Sequence, residues 1–201
     1  MSAAYEVLSL DDLDRIPVDE GLEWRPIRRR LGIRSFGTNG YTSERVGGWV
    51  VEEHVEGSGH EELYVVVSGR ARFTLDGEEL DAPAGTIVFL PENDVTRKAV
   101  AEEEGTTVLA FGGWPDRPFE PSQWEWYFEA SEHEPERAIE IMREGIAELG
   151  ERGWLLYELA RHEARDGRRD HAREHLTKAV ELEPRAAERA GGDEHLRELL
   201  P

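Results

Sequence analysis

The sequence predicts a β + α protein, with an antiparallel barrel over residues 1–120 and a small antiparallel helical segment over 121–201. Two observations predict it. Up to Pro121, short runs of Val, Thr and aromatic residues are bounded by Gly, Pro, Asp and Asn, the pattern of strands joined by tight turns. Beyond Pro121, apolar residues recur at the spacing of one helix face.

The strand runs are Val50-Val51, Leu63 to Val67, Ala71 to Leu75, Thr86 to Leu90 and Thr106 to Phe111. Asp76-Gly77 is a hairpin turn signal, because both residues tolerate a positive φ, and a tight turn is expected at Ser68-Gly69. Short strands at this spacing close into a sandwich or barrel. In the second part, Ile139, Met142, Ile146 and Leu149 share a face of a helix that starts near Pro135, where a missing N–H costs nothing. Leu155, Leu156, Leu159 and Ala160 mark a second helix, stopped near Gly167. Asp170 is the expected N-cap of a third, with Ala172, Leu176, Ala179 and Val180 facing inward. Glu183-Pro184 ends it, and Asp193 to Leu200 is expected to close the chain as a short helix.

Composition excludes several classes. Of 201 residues, 38% are hydrophobic and 34% charged, which suits a globular chain, and the net charge is −20. That charge argues against a nucleic-acid partner, since phosphate binding needs a basic surface. Arg28-Arg29-Arg30, a basic cluster, reads as a solvated strand edge. The chain has no cysteine, so disulfides, thiolate metal sites and thiol nucleophiles are excluded. Acidic residues Glu6, Asp11, Asp12 and Asp14 stand where a signal peptide would be basic and apolar, so the expected location is cytoplasmic, with no membrane partner.

Two stretches carry a family resemblance. Gly48-x5-His54-x-Glu56-x5-Glu62-x6-Gly69 is followed by Gly85-x5-Pro91-x-Asn93-x2-Thr96. Together they resemble the two motifs of the cupins, jelly-roll β-barrels that grip a metal or ligand in the barrel mouth. The resemblance covers roughly residues 40–112. In that family the first motif supplies two His and a Glu to a metal, and the second a third His. His54 and Glu62 match their slots. Glu56 stands in the second His slot, with one extra residue before Glu62, and Thr96 stands in the last. Asn93 replaces a glycine of the second motif and Val100 its terminal Asn.

The residues add their own reading. Strand alternation puts His60, Glu62, Tyr64 and Val66 on one face. His54, His60 and Glu62 would then form a two-His, one-carboxylate set of the kind that holds iron, and Glu56 could add a hard oxygen donor. A metal held there would be a divalent ion such as Fe, Ni, Mn or Zn. Thr96 is a poor ligand, which leaves one side of such a site without an anchor. Without metal, the mouth is a pocket lined by Phe36, Tyr41, Trp49 and Tyr64, with Asn39, Thr96 and Arg97 as polar contacts. In the opposite reading, His54 and His60 are solvated loop residues.

Residues 153–186 resemble a single tetratricopeptide (TPR) repeat through Ala160, Gly167, Ala172, Leu176, Ala179 and Pro184. One and a half repeats cannot bury their own apolar face, so the tail is expected to pack on the barrel or on a second chain, with a protein partner or self-association through the tail. His171-x-x-Glu174-His175 has a zinc-protease spacing, but the core face of its helix is expected to turn both His toward solvent. The aromatic run from Trp114 to Phe128 is expected to dock on the barrel, with a homodimer surface as the alternative.

Two functions from different classes follow. The first is a small-ligand-binding or interaction module with a degenerate barrel site, motivated by Glu56 and Thr96. The second is a metal-dependent enzyme of the dioxygenase, isomerase or decarboxylase class, which the resemblance implies, using His54, His60 and Glu62 for the metal and Tyr64 or Glu56 as acid or base. A metal-free sugar-nucleotide epimerase is a weaker third, because no His–Asp pair is evident.

Overall fold

The computed structural model describes residues 5–19, 21–56, 59–91 and 94–200. The chain divides into two compact units, Met1–Phe119 and Glu120–Pro201.

The first unit is built on ten strands: β1 (Ile16–Asp19), β2 (Leu22–Arg25), β3 (Gly37–Ser43), β4 (Trp49–His54), β5 (Glu61–Ser68), β6 (Arg70–Leu75), β7 (Glu78–Pro83), β8 (Ile87–Leu90), β9 (Arg97–Ala101) and β10 (Thr106–Gly113). They form a six-stranded sheet in the order β1-β2-β3-β10-β5-β8 and a four-stranded sheet in the order β4-β9-β6-β7. The pairs assigned a register are all antiparallel. Inward residues of both sheets meet in one core. Val50, Val51, Phe73, Ala82, Ala99 and Ala101 come from the smaller sheet, and Tyr64, Val66, Val88, Leu90 and Val108 from the larger. This is a jelly roll, as the short, alternating runs predict.

Asp76-Gly77 makes the β6–β7 hairpin with φ of 48° and 89°, the two positive values that a primed turn needs. Several elements escape the sequence reading. β3, which contains Gly37, Gly40 and Asn39, has weak strand propensity and is held by pairing with β2 and β10. Arg28-Arg29-Arg30 lies not on a strand edge but in a short helix, α1 (Ile27–Leu31). There Arg28 is buried and donates to the carbonyl of Ile33, while Arg30 pairs with Glu6. Arg25 of β2 donates to the carbonyl of Leu10 and to Thr42 of β3.

The second unit holds α2 (Trp124–Ser131), α3 (Pro135–Leu149), α4 (Gly153–Arg165), α5 (Arg169–Leu182) and α6 (Arg185–Gly192). Leu156, Ala160, Ala172, Leu176 and Ala179 pack α4 on α5, and Trp126, Ile139, Met142, Leu155 and Leu159 form a second cluster around α3. Three expectations need correction. Asp170 is not the N-cap of α5: Arg168 takes that place, and Asp170 sits inside the first turn, paired with Arg173. The closing helix starts at Arg185 and ends with Gly191-Gly192 rather than following them, because Arg185 to Ala190 are good helix formers following Pro184. Asp193 then accepts from the backbone N–H groups of His195 and Leu196 and opens a turn instead. Nor do both His of the 171–175 motif face solvent. His171 is exposed, but His175 turns inward and its Nδ1 lies 2.7 Å from the fully buried carboxylate of Glu163, which also takes Arg143 at 3.0 Å. The motif is therefore spent on tying α3, α4 and α5 together.

Candidate functional site

The site develops at one end of the barrel, where β4, β5 and β9 bring their polar residues inward. On β5, Glu62 and Tyr64 follow the inward alternation, and both are buried. On β9 the inward positions are Arg97, Ala99 and Ala101. Arg97 is 0% exposed. Its Nη2 donates to Glu62 Oε2 at 2.5 Å, its Nε to the Tyr64 hydroxyl at 3.4 Å and its Nη1 to the carbonyl of Val95 at 3.2 Å. Burial opposes the charged guanidinium, but the Tyr64 hydroxyl and the Glu62 carboxylate outweigh it, and the pKa of Arg97 is raised. The phenol of Tyr64 is also pushed up, first by burial and then by the charge of Glu62. It stays protonated at neutral pH and can donate a hydrogen bond, but it cannot serve as a base.

His54 ends β4 opposite Arg97 in the strand register. Its Nδ1 lies 2.7 Å from the carbonyl of Glu52, and its Nε2 is 3.9 Å from Glu56 Oε1. One ligand atom from each of His54, Glu56 and Glu62 lies within 4.8 Å of the others. His60 does not join this group. It shares the inward face but lies over Gly112, where a Cβ would come within 2.8 Å of its Nε2, and its ring meets Trp114 edge-on at 4.6 Å. Phe119 lies over Gly37, the cross-strand partner of Gly112, and 6.1 Å from Trp114. Two glycines side by side thus make a shelf for three rings, with Arg117 stacked on Trp114 at 4.3 Å.

Of the remaining pocket candidates, Asn39 shares the inward face with Ala110 and Tyr64, and its buried Oδ1 has no hydrogen-bond partner. Tyr41 lies on the same face by register with Val108. Phe36 is 41% exposed. Trp49 lies beside Lys98, whose ammonium is 5.9 Å from the ring centre, and Lys98 and Thr96 line an outer groove with Glu53, Thr74 and Asp76. Thr96 is exposed, and the inward position next to it belongs to Arg97. Asn93 lies outside the described residues. Arg97, expected as a polar contact of the mouth, shares the inward face of β9 with the buried Ala99 and Ala101.

The donor set of one imidazole and two carboxylates suits a divalent ion by distance and by chemistry. Arg97 works against it. Arg97 places a permanent positive charge against Glu62, and a unit charge about 4 Å away would be repelled by roughly 4 kcal/mol at an effective dielectric near 20. A divalent ion would feel about twice that. Arg97 therefore competes with any metal for Glu62, the buried carboxylate of the set.

A family model described as an AraC-like ligand-binding domain matches residues 41–200. The chain belongs to this family. The match takes in β4 to β10 and all five helices of the second unit, so this AraC-like domain is a cupin-type barrel with a helical extension. Several solved cupins resemble it in part. A sugar phosphate isomerase of the cupin superfamily from Silicibacter pomeroyi is 19% identical, over 56% of this chain and 83% of its own, with a TM-score of 0.46. KdgF from Halomonas sp. is 20% identical over 53% and 90%, with a TM-score of 0.42. A Cupin 2 conserved barrel domain protein from Salinispora arenicola is 20% identical over 57% and 92%, also at 0.42. No curated protein matches the AraC-like chain. No helix among its described residues is long and apolar enough to cross a membrane.

Proposed function

We propose that this AraC-like domain binds a small polar molecule in the barrel mouth without a resident metal. The observation that carries the reading is Arg97, fully buried and bonded to Glu62, the residue that the cupin resemblance assigns to a metal. Arg97 and Glu62 cancel each other's charge, so the floor of the site is polar but neutral and suits an uncharged ligand. Arg97 and Tyr64 offer donors, and Asn39 offers a buried acceptor that a ligand hydroxyl or amide would satisfy. His54 and Glu56, half-exposed at the rim, would contact the ligand last. The helical unit would carry the response to a protein partner or a second copy, in line with its repeat-like sequence.

The test pairs two measurements. Saturation-transfer NMR with a panel of small neutral amides and polyols is expected to find binders that Arg97→Met loses. Titration calorimetry with Ni²⁺ and Mn²⁺ is expected to show no stoichiometric binding. Tight binding of one ion by the wild type, lost in both His54→Ala and Glu62→Gln, would overturn the reading. It would favour the metal-dependent enzyme, which the proximity of His54, Glu56 and Glu62 supports.

A further inference from the structure

The tie that His175 makes through Glu163 occupies one edge of an imidazole and leaves the other. Glu163, on α4, is 0% exposed. Its Oε2 lies 2.7 Å from His175 Nδ1, and its Oε1 accepts from Arg143 Nη2 at 3.0 Å, so each oxygen has a partner. An ionised carboxylate only accepts, so it fixes the imidazole tautomer with the proton on Nδ1. The lone pair is then on Nε2, at the far edge of a ring whose side chain is 22% exposed. Metal-binding histidines are prepared in this way: a carboxylate behind the ring sets its orientation and raises the basicity of the nitrogen in front.

A second imidazole stands beside it. His171 is exposed and lies one helical turn before His175 on α5. Residues four apart on a helix have Cβ atoms about 5–6 Å apart, so the two rings can reach one ion from the same side. The pair borders the buried face of α5, which carries Ala172, Leu176 and Ala179. That placement turns His175 toward Glu163 and leaves His171 toward water. Nearby cations are matched by carboxylates: Lys178 pairs with Glu151 at 3.2 Å and Arg173 with Asp170 at 3.3 Å. In the barrel, Arg97 holds the carboxylate that would itself be a ligand; here Arg143 holds only the carboxylate behind the ligand.

We propose that His171 and His175 form a transition-metal site on the helical unit, with Glu163 as the positioning carboxylate, and that copper(II) is the ion it prefers. Affinity for divalent ions at nitrogen ligands peaks at copper, above nickel and far above manganese. Two imidazoles hold copper with water on its remaining positions, whereas nickel and manganese are held too weakly to titrate stoichiometrically. The site uses no residue of the barrel, so it stands whether or not the mouth takes a neutral ligand.

Copper(II) titration of the full chain, followed by visible absorption and electron paramagnetic resonance of the bound ion, tests this. The wild type is expected to bind one copper ion through two nitrogens, and His54→Ala to bind it equally well. His171→Asn, with unchanged far-UV circular dichroism, should weaken binding at least about tenfold, and Glu163→Gln about 10- to 100-fold with both ligands still in place. His171→Asn/Asp170→His keeps the number of histidines but moves one ring about 100° around the helix, and tight binding should not return. Copper that the wild type does not take up, or that is lost in His54→Ala, would overturn the proposal. Binding that survives His171→Asn, or that the relocated imidazole restores, is adventitious and would overturn it too, as would equal affinity in a folded Glu163→Gln.

Discussion

Arg97 and Glu62 illustrate how a buried ion pair can be costly to break without contributing much net stability. Both ions have left water, and each depends on the other for its solvation. Glu62→Gln should therefore destabilise the barrel by about 3 kcal/mol, because Arg97 keeps its charge and loses its carboxylate. The double variant Glu62→Leu/Arg97→Met should recover much of that loss, which urea denaturation of the single and double variants would measure. His162 gives a pH-dependent counterpart in the helical unit. Burial, then Arg165 and Arg161, lowers its pKa from 6.5 to about 4. Its folded pKa lies below the unfolded one, so its contribution is intact above pH 6.5 and is lost as pH falls from there toward 4. The full effect is roughly 3 kcal/mol. Thermal melts of the wild type should drop more steeply between pH 7 and pH 5 than those of His162→Gln.

At the scale of elements, the shelf of Gly37 and Gly112 decides how β3, β10 and the segment after it fit together. Gly112→Ala would drive a methyl into the His60 imidazole and should cost about 1–3 kcal/mol. Removing the ring as well, in His60→Ala/Gly112→Ala, should relieve the clash, and the tryptophan fluorescence of both variants would report on Trp114. The same contact shows how far the site was legible in the sequence. Alternation correctly put His60 on the inward face with Glu62, yet the periodicity of one strand says nothing about what the neighbouring strand places opposite. Arg97 was legible by parity from Ala99 and Ala101. Its bond to Glu62 was not, since those residues stand 35 positions apart. Likewise, the 171–175 motif revealed that His171 and His175 lie one turn apart, but not that Glu163 of the preceding helix would take one of them.

At the scale of the molecule, net charge is the dominant long-range term. Self-repulsion at −20 opposes compaction, and screening relieves it. Raising sodium chloride from about 0.05 M to 1 M, where the screening length falls to roughly 3 Å, should raise the melting temperature. Exposed pairs such as Arg70–Asp81 and Arg72–Glu102 weaken under the same conditions, but solvent already screens them and they contribute little. A fall in melting temperature would show that local pairs outweigh the net charge.

The sequence by itself determined the architecture. Period-two runs punctuated by turn residues made strands, helical spacing beyond Pro121 made helices, and the glycine and proline framework pointed to a cupin-type barrel. These are local properties, written within a few residues of where they act. The tertiary structure decided the chemistry. It set Arg97 against Glu62 and laid His60 over Gly112. Each of these depends on residues distant in sequence meeting in space, and the free energy of a buried charge is fixed by what lies opposite it.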